Sequence, residues 1–397
     1  MSARTCPACF GAALTEFYAV DRVPASSCLM LDDETAALAF PAGELRIAAC
    51  ADCGFVTNTA FDPALTRYSD AYEESQACSA RFRDYAAELT ASWVDRYDLV
   101  GKTVVELGCG KGEFLTGLIR AGVGYGIGVD PAVRLDRIDP AILHRTSWVT
   151  GLFPDDFETI EADAVVCRHT LEHIGPVGAW LRSVRAAIGP RTDTVVLFEL
   201  PDVLRVLREG AFWDVYYEHC SYFSPGSLEG LFRRSGFEPI ELRRTYDDQY
   251  LVIEARPVAG TWPMVGAVEP AAPGDRDEVL AAARQFVSQV ERSRTQWRER
   301  VRKVAEDGGR VVLWGASSKA VGFLATLGDD ARHVAAAVDI NPHKQNRYLA
   351  GTGHRVVGPV ELIDIAPELV IAMNPAYTEE IARDLETMRI PTALEAL

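Results

Sequence analysis

The sequence predicts an α/β protein in three parts. A small β module comes first, a doubly wound parallel sheet lies in the centre, and a second, smaller unit of the same kind closes the chain. Three observations predict this. Strand-like and helix-like patterns alternate from about residue 101 to 256, as a parallel sheet with helical crossovers requires. The unit strand, glycine turn, helix occurs at Val104 to Phe114 and again from Arg310 to Leu324. Two C-x-x-C pairs, Cys6/Cys9 and Cys50/Cys53, set the first 65 residues apart.

The module at 1–65 is read from those pairs. Each C-x-x-C forms a knuckle that aims two thiolates at one point. Two knuckles complete a tetrahedral sulfur shell, which suits Zn²⁺. Four thiolates leave no open position, so such a metal is structural. Short strands are expected at Val23-Pro24, Leu29-Met30, Ala37 to Phe40 and Leu45 to Ile47. The other five cysteines (Cys28, Cys78, Cys109, Cys167, Cys220) are isolated. An odd total of nine fits a metal site plus free thiols better than a disulfide framework.

Length and charge bound the function. A chain of 397 residues predicts two or three domains. Hydrophobic residues make up 48% and charged ones 24%, as in a soluble globular protein. No apolar run approaches the length of a membrane span. The start, Met1 to Cys6, has no apolar leader core, so a cytoplasmic location is expected. A net charge of −17 argues against nucleic acid and anionic membrane as partners, and leaves a small molecule.

Residues 66–100 carry Tyr68, Tyr72, Tyr85 and Trp93 among helix formers. One or two amphipathic helices are expected between Ala77 and Val100, for packing or as a lid through Tyr72 or Gln76. Then Val104-Val105 enter a buried strand, Glu106 closes it, and Gly108, Gly110 and Gly112 follow. Glycines let the backbone approach a ligand closely, and the next helix offers free N–H groups. Tyr125 to Asp130 reads as the next strand, ending in an acid about 20 residues on, where ribose hydroxyls are held in a βαβ unit.

The spelling E-x-G-x-G-x-G resembles the first motif of the class I S-adenosylmethionine (SAM) methyltransferases. That resemblance covers about 150 residues. It implies that Glu106, Gly108 and Gly110 contact the methionine side and the backbone of SAM, and that Asp130 holds the ribose. Trp148 to Phe153 should then lie near the adenine, which makes Phe153 a cofactor residue. A strand at Ala162 to Cys167 runs into Arg168 to Ile174, a segment that looks like the one facing the methionine end and the substrate in such enzymes. It contains His169 and His173. A further strand is expected at Thr194 to Pro201.

The most distinctive segment is Phe212 to Ser224. It crowds Tyr216, Tyr217, Glu218, His219 and Tyr222 ahead of a helix opened by Ser224-Pro225. Residues 257–275 read as a linker, and residues to 307 as a long helix with an apolar stripe from Val279 to Val304, for packing or for a dimer. The unit at 308–397 has a turn, Gly315 to Lys319, whose Ser317, Ser318 and Lys319 would sit at a helix N-terminus suited to an anion.

Across essentially the whole chain, this order of parts resembles the deoxysugar C-methyltransferases, which act on nucleotide-linked 4-keto sugars in antibiotic biosynthesis. The carrying features are the cysteine pairs, Tyr216-x-Glu218-His219-x-x-Tyr222-Phe223, and the C-terminal G-A-S-S-K and D-x-N-P-x-K-Q. The resemblance implies a structural zinc on Cys6, Cys9, Cys50 and Cys53. It also implies a reacting centre lined by Tyr216, Glu218, His219 and a histidine of the earlier segment, His173 or His169. The catalytic set expected is His219 as base, Glu218 to orient it, and Tyr216 and His173 on the keto oxygen. Substrate contacts are expected at Tyr222, Ser317 and Lys319. Tyr217 departs from the family, which often has histidine there. The alternatives are O- or N-methylation of a sugar or another polar natural-product intermediate, and a non-catalytic SAM-binding scaffold. A monomer or a homodimer is expected.

Overall fold

A computed structural model describes residues 5–66, 68, 69, 71–260 and 273–397. The start of the chain and most of the expected linker lie outside the described residues.

The N-terminal sheet opens with strand β1 (Leu14–Pro24), followed by helix α1 (Glu34–Leu38) and strands β2 (Ala42–Cys50) and β3 (Val56–Asn58). The expected strand at Ala37 to Phe40 is instead the end of α1 and its exit. The reason is local: the Asp33 carboxylate accepts from the Ala36 amide at 2.8 Å and caps a helix there. Leu29 makes a single antiparallel bridge, to Tyr72, rather than a strand.

Residues 77–100 form one helix, α2 (Ala80–Arg96), capped by Ser79. Its buried face carries Phe82, Leu89, Trp93 and Val94, and the Trp93 indole donates to Glu254 at 2.9 Å. Then come β4 (Thr103–Leu107), α3 (Glu113–Arg120), β5 (Tyr125–Val129), β6 (Thr146–Val149), β7 (Ala164–Arg168), α4 (Val177–Ile188) and β8 (Val195–Pro201). After α5 (Val203–Glu209), the two-residue strand β9 (Ser221–Tyr222) and α6 (Pro225–Arg234), the unit ends in β10 (Phe237–Thr245) and β11 (Tyr250–Pro257).

The central sheet runs β10-β11-β8-β7-β4-β5-β6. Strands β4 to β8 are parallel, and β11 pairs antiparallel to β8. Val104, Val105, Val165 and Val166 have no exposed surface, which is why these strands read as apolar runs. Each such burial stabilises the fold by about 1.5–3 kcal/mol before chain entropy is counted. The chain leaves β4 to opposite sides for β5 and β7. Ligands in doubly wound sheets lie beyond the strand ends at such a reversal.

Helix α7 (Pro273–Glu306) buries Val279, Ala283, Phe286, Val290, Val301 and Val304 within the chain, with Phe286 edge-on to Tyr18 at 5.1 Å. Val287, expected in this stripe, is exposed. The C-terminal unit has β12 (Val311–Trp314), α8 (Ser318–Leu327), β13 (Val334–Val338), β14 (Val356–Val357), α9 (Leu362–Ile365), β15 (Leu369–Ala372), α10 (Thr378–Thr387) and β16 (Ala393–Ala396). Its sheet, β14-β13-β12-β15-β16, is parallel throughout and reverses between β12 and β15.

Strand β9 does not join the central sheet. It pairs with β3, Val56 opposite Tyr222, so the Tyr-x-Glu-His segment is part of the N-terminal sheet.

Candidate active site

The two reversals face each other across one cavity of about 1010 Å³. The central unit lines it with Gly108, Gly110, Asp130, His169 and His173, and the C-terminal unit with Ser317, Lys319 and Asn374. Gln249 and Asn374 join the two units by a reciprocal amide pair at 3.1 and 2.9 Å.

At the glycine turn, Gly108 and Gly110 have φ of +74° and +51°. A side chain on Gly108 would collide with Thr170, and one on Gly110 with the Glu74 carboxylate. These positions therefore need glycine both for backbone conformation and for space. Asp130 accepts from the Gly110 amide at 3.0 Å and from the Ala132 amide at 2.6 Å. The expected ribose acid thus also clamps the turn. Glu106 is 2% exposed, and its Oε2 has no protein partner. Burial pushes its pKa up to about 8. Glu106, Gly108, Gly110, Asp130 and Phe153 all line the cavity. Phe153 is edge-on to Trp180, whose indole donates to the Phe153 carbonyl at 3.1 Å.

His169 leaves β7 with a φ of +48°, unusual for a residue with a Cβ. Its ring packs 4.5 Å from Tyr250, and Nε2 lies 3.5 Å from Glu199. His173 sits a turn later. Its Nδ1 is 3.0 Å from the Tyr68 hydroxyl, and its ring is 4.8 Å from that of His219.

His219 is buried, with Nε2 2.5 Å from the Tyr216 hydroxyl. Burial, reinforced by His173, His169 and Lys319, holds its pKa well below the ordinary value, so the imidazole is neutral. Burial pushes the Tyr216 hydroxyl well above its ordinary range, so it stays a protonated donor. Tyr222 lines the same wall, and its hydroxyl donates to the Tyr216 carbonyl at 3.4 Å.

Glu218 is placed differently from the expectation. It is not among the cavity-lining residues. Its carboxylate turns into the N-terminal module, accepting from Ser26 Oγ at 3.0 Å, the Ser27 amide at 2.7 Å and the Ser27 hydroxyl. Tyr217 and Glu218 form a turn ahead of β9, and that turn aims the Glu218 carboxylate at Ser26 and Ser27 while His219 lines the cavity. The carboxylate beside the histidines is Glu172, which with His173 and His219 forms a cluster whose ligand-type atoms lie within 4.8 Å. Sequence reasoning missed Glu172. Its place one residue before His173 was the available signal.

The C-terminal residues face the cavity but are occupied. Lys319 pairs with Asp214, which also pairs with Arg205 at 2.6 Å. Ser317 takes a bond from the buried Lys344. Tyr72 and Gln76, named above for packing or a lid, both line the cavity, as does Tyr68.

Away from the cavity, Cys6, Cys9, Cys50 and Cys53 are all buried and converge. Cys6 and Cys53 sulfurs are 3.8 Å apart, and those of Cys9 and Cys50 are 3.7 Å apart. A tetrahedron of sulfurs about 2.3 Å from a central ion has edges of about 3.8 Å.

Residues 78–242 match the family model described as a methyltransferase domain. Residues 276–392 match the C-methyltransferase C-terminal domain. The chain is 29% identical over 297 residues to the C-methyltransferase NovU of Streptomyces niveus, spanning 72% of this chain and 70% of that one. It is 25% identical over 169 residues to a ubiquinone biosynthesis O-methyltransferase of Ralstonia nicotianae, spanning 36% of this chain and 66% of that protein. A solved N1-methyltransferase of 1,6-didemethyltoxoflavin from Burkholderia thailandensis shares 18% identity at a TM-score of 0.36, covering 44% of this chain and 78% of that one.

Proposed function

Since this chain is a class I SAM-dependent C-methyltransferase, we propose that its acceptor is a carbon next to a ketone, on a nucleotide-linked sugar or a related polar intermediate. The observation that carries this reading is the pairing of neutral His219 with the Tyr216 hydroxyl, in the cavity that holds the glycine turn.

A carbon acceptor must lose its α-proton before it can attack. A neutral, desolvated imidazole suits that task. His219 takes the proton. Its Nε2 lies against Tyr216, which keeps the ring oriented. The Tyr216 hydroxyl and His173, itself bonded to Tyr68, supply hydrogen bonds to the ketone oxygen as it becomes an enolate. Bound SAM supplies an electrophilic methyl group. The residues that fit it are Glu106, with an unpartnered buried oxygen, the Gly108–Gly110 cradle that a Cβ would fill, and Asp130. Glu218 acts on the reaction by fixing the segment that carries His219.

The nucleotide end of the substrate lies against the C-terminal unit, where Ser317, Ser318 and Lys319 open α8. The ion pair with Asp214 leaves Lys319 less free to neutralise a diphosphate than a lone lysine would be. The four cysteines hold a structural zinc, supported by sulfur spacings that match a tetrahedral edge.

The test is to incubate the full chain with candidate nucleotide 4-keto sugars in deuterium oxide, with and without SAM. Wash-in at the α-carbon without SAM, dependent on His219, is the expected result. Turnover with no wash-in, carried by an oxygen or nitrogen acceptor, would overturn the carbon assignment.

A further inference from the structure

Glu74 lies in the loop ahead of α2, and its neighbours pin that loop. Glu73 accepts from Arg137 Nη1 at 2.8 Å and from Asn341 Nδ2 at 2.9 Å. Ser75 Oγ donates to Glu113 at 2.6 Å, and Gln76 accepts from the Tyr377 hydroxyl at 3.0 Å. The residues on either side of Glu74 are thus tied to both the central and the C-terminal unit. Glu74 itself projects onto the glycine turn, where its Oε1 fills the space a side chain on Gly110 would need.

Its other oxygen, Oε2, is shut off from solvent with no partner among the described residues. Across the turn, Oε2 of the fully buried Glu106 is in the same condition. A buried carboxylate oxygen without a donor is costly, and a native site that keeps such oxygens on Glu74, Glu106 and, beside the histidines, Glu172 points to ligands that supply donors. Among the groups facing Glu74, the carboxylates of Asp130 and Glu73 bring no donor, and the Lys111 ammonium, whose charge holds the Glu74 pKa down, donates to the Ala132 carbonyl at 3.0 Å while Oε2 keeps no partner among the described residues. Desolvation accordingly pushes the Glu74 pKa up to about 7.

We propose that Glu74 binds the α-ammonium group of SAM and of its product S-adenosylhomocysteine, closing the methionine end of the cofactor site from the loop side. The proposal rests on the reading that the cofactor lies at the glycine turn. An ammonium gives a carboxylate charge-assisted donors, the chemistry that the unpartnered oxygen lacks. Since Glu74 is held by a loop bonded to the C-terminal unit, cofactor binding also favours the arrangement in which that unit faces the cavity.

Binding then needs Glu74 ionised and the ligand amine protonated. Affinity rises as pH passes through about 7. It falls again only at more alkaline pH, where the amine loses its proton, because the α-carboxylate of the ligand holds that proton more firmly than a chain terminus does. The experiment is calorimetric titration of the full-length, zinc-loaded protein with S-adenosylhomocysteine, and with the analogue that lacks the α-amino group, across that range. Glu74→Gln should weaken S-adenosylhomocysteine about 10-fold or more, flatten the rise with pH, and leave the deamino analogue bound as by wild type. Equal S-adenosylhomocysteine affinity in wild type and variant would overturn the proposal, and so would an equal loss for both ligands. Failure of the wild type to bind S-adenosylhomocysteine at all would instead remove the glycine-turn reading beneath it. Thermal melts of the two proteins in the same buffer separate a folding defect from a lost contact.

Discussion

Ser27 and Ser318 hydroxyls lie 2.8 Å apart, although 291 residues separate them. Ser27 also donates to Glu218, whose neighbour His219 has Nε2 2.5 Å from the Tyr216 hydroxyl. The N-terminal module, the site segment and the C-terminal unit therefore meet in hydrogen bonds at Ser27, beside His219. Glu218→Gln should lower kcat by one to two orders of magnitude without changing SAM affinity. The change leaves neutral bonds, worth about 0.5–1.5 kcal/mol each, where charge-assisted bonds worth about 1.5–3 kcal/mol stood. Combined with Ser27→Ala, the loss should be smaller than the sum of the two, as expected for members of one network. Additive losses would place Glu218 outside this relay.

His219→Ala should remove about 10²–10⁴-fold of turnover, the usual contribution of a positioned base, and leave SAM binding intact. The pH profile of wild type adds a second check. A base works when neutral, and the His219 pKa is held well below the ordinary 6.5. As pH falls, activity should persist beneath 6.5 before declining. A decline centred at or above that value would assign the base to another group.

Gly108→Ala should abolish cofactor binding. The added methyl meets Thr170, and a φ of +74° is strained for any residue with a Cβ, at a cost of about 1–2 kcal/mol. Titration with S-adenosylhomocysteine measures the first effect and a thermal melt the second. Unchanged affinity would remove the turn from the site.

Glu106→Gln should raise the melting temperature near neutral pH while weakening SAM. The sign follows from proton uptake. The unfolded carboxyl ionises near 4.5 and the folded one near about 8. Between those values the folded state holds a proton that the unfolded state has lost, so stability falls as pH rises. Glutamine lacks that penalty. The gain should be absent at the acid end of the window and grow toward its alkaline end, as melts across the range would read.

Cys53→Ser should release the metal and lower the melting temperature. It should also reduce kcat, because β9, which ends the Tyr-x-Glu-His segment, is held by the strand that follows the second cysteine pair. Metal content by mass spectrometry and the kinetics of the same sample check both. A variant that loses metal but keeps full turnover would uncouple module from site.

Much of the protein was legible as pattern. The glycine turn declared itself because no other residue tolerates its positive φ angles so near a neighbouring chain. The buried parallel strands declared themselves as runs of β-branched residues, and the cysteine pairs through the spacing that metal geometry requires. Ser224-Pro225 marked the start of α6 through capping chemistry. Each of these leaves a local spelling (glycines at fixed steps, β-branched runs, the C-x-x-C knuckle, a capping serine before proline), so sequence records it even where the partners lie far along the chain. Strands β10 and β11 were not foreseen. Their residues read ambiguously, and antiparallel pairing at the sheet edge made them strands.

Three things were decided only by tertiary structure. The direction of Glu218 depends on Ser26 and Ser27, which come together with it across more than 190 residues. Glu74 stands against Gly110 because bonds from Glu73 and Gln76 to Arg137, Asn341 and Tyr377 hold its loop there. The single cavity exists because two sheets present their reversals to one another. The sequence determined which residues could do this chemistry. Which side each of them faces was settled by long-range packing, since the turn at Tyr217 and Glu218 takes its direction from partners more than 190 residues away in the chain.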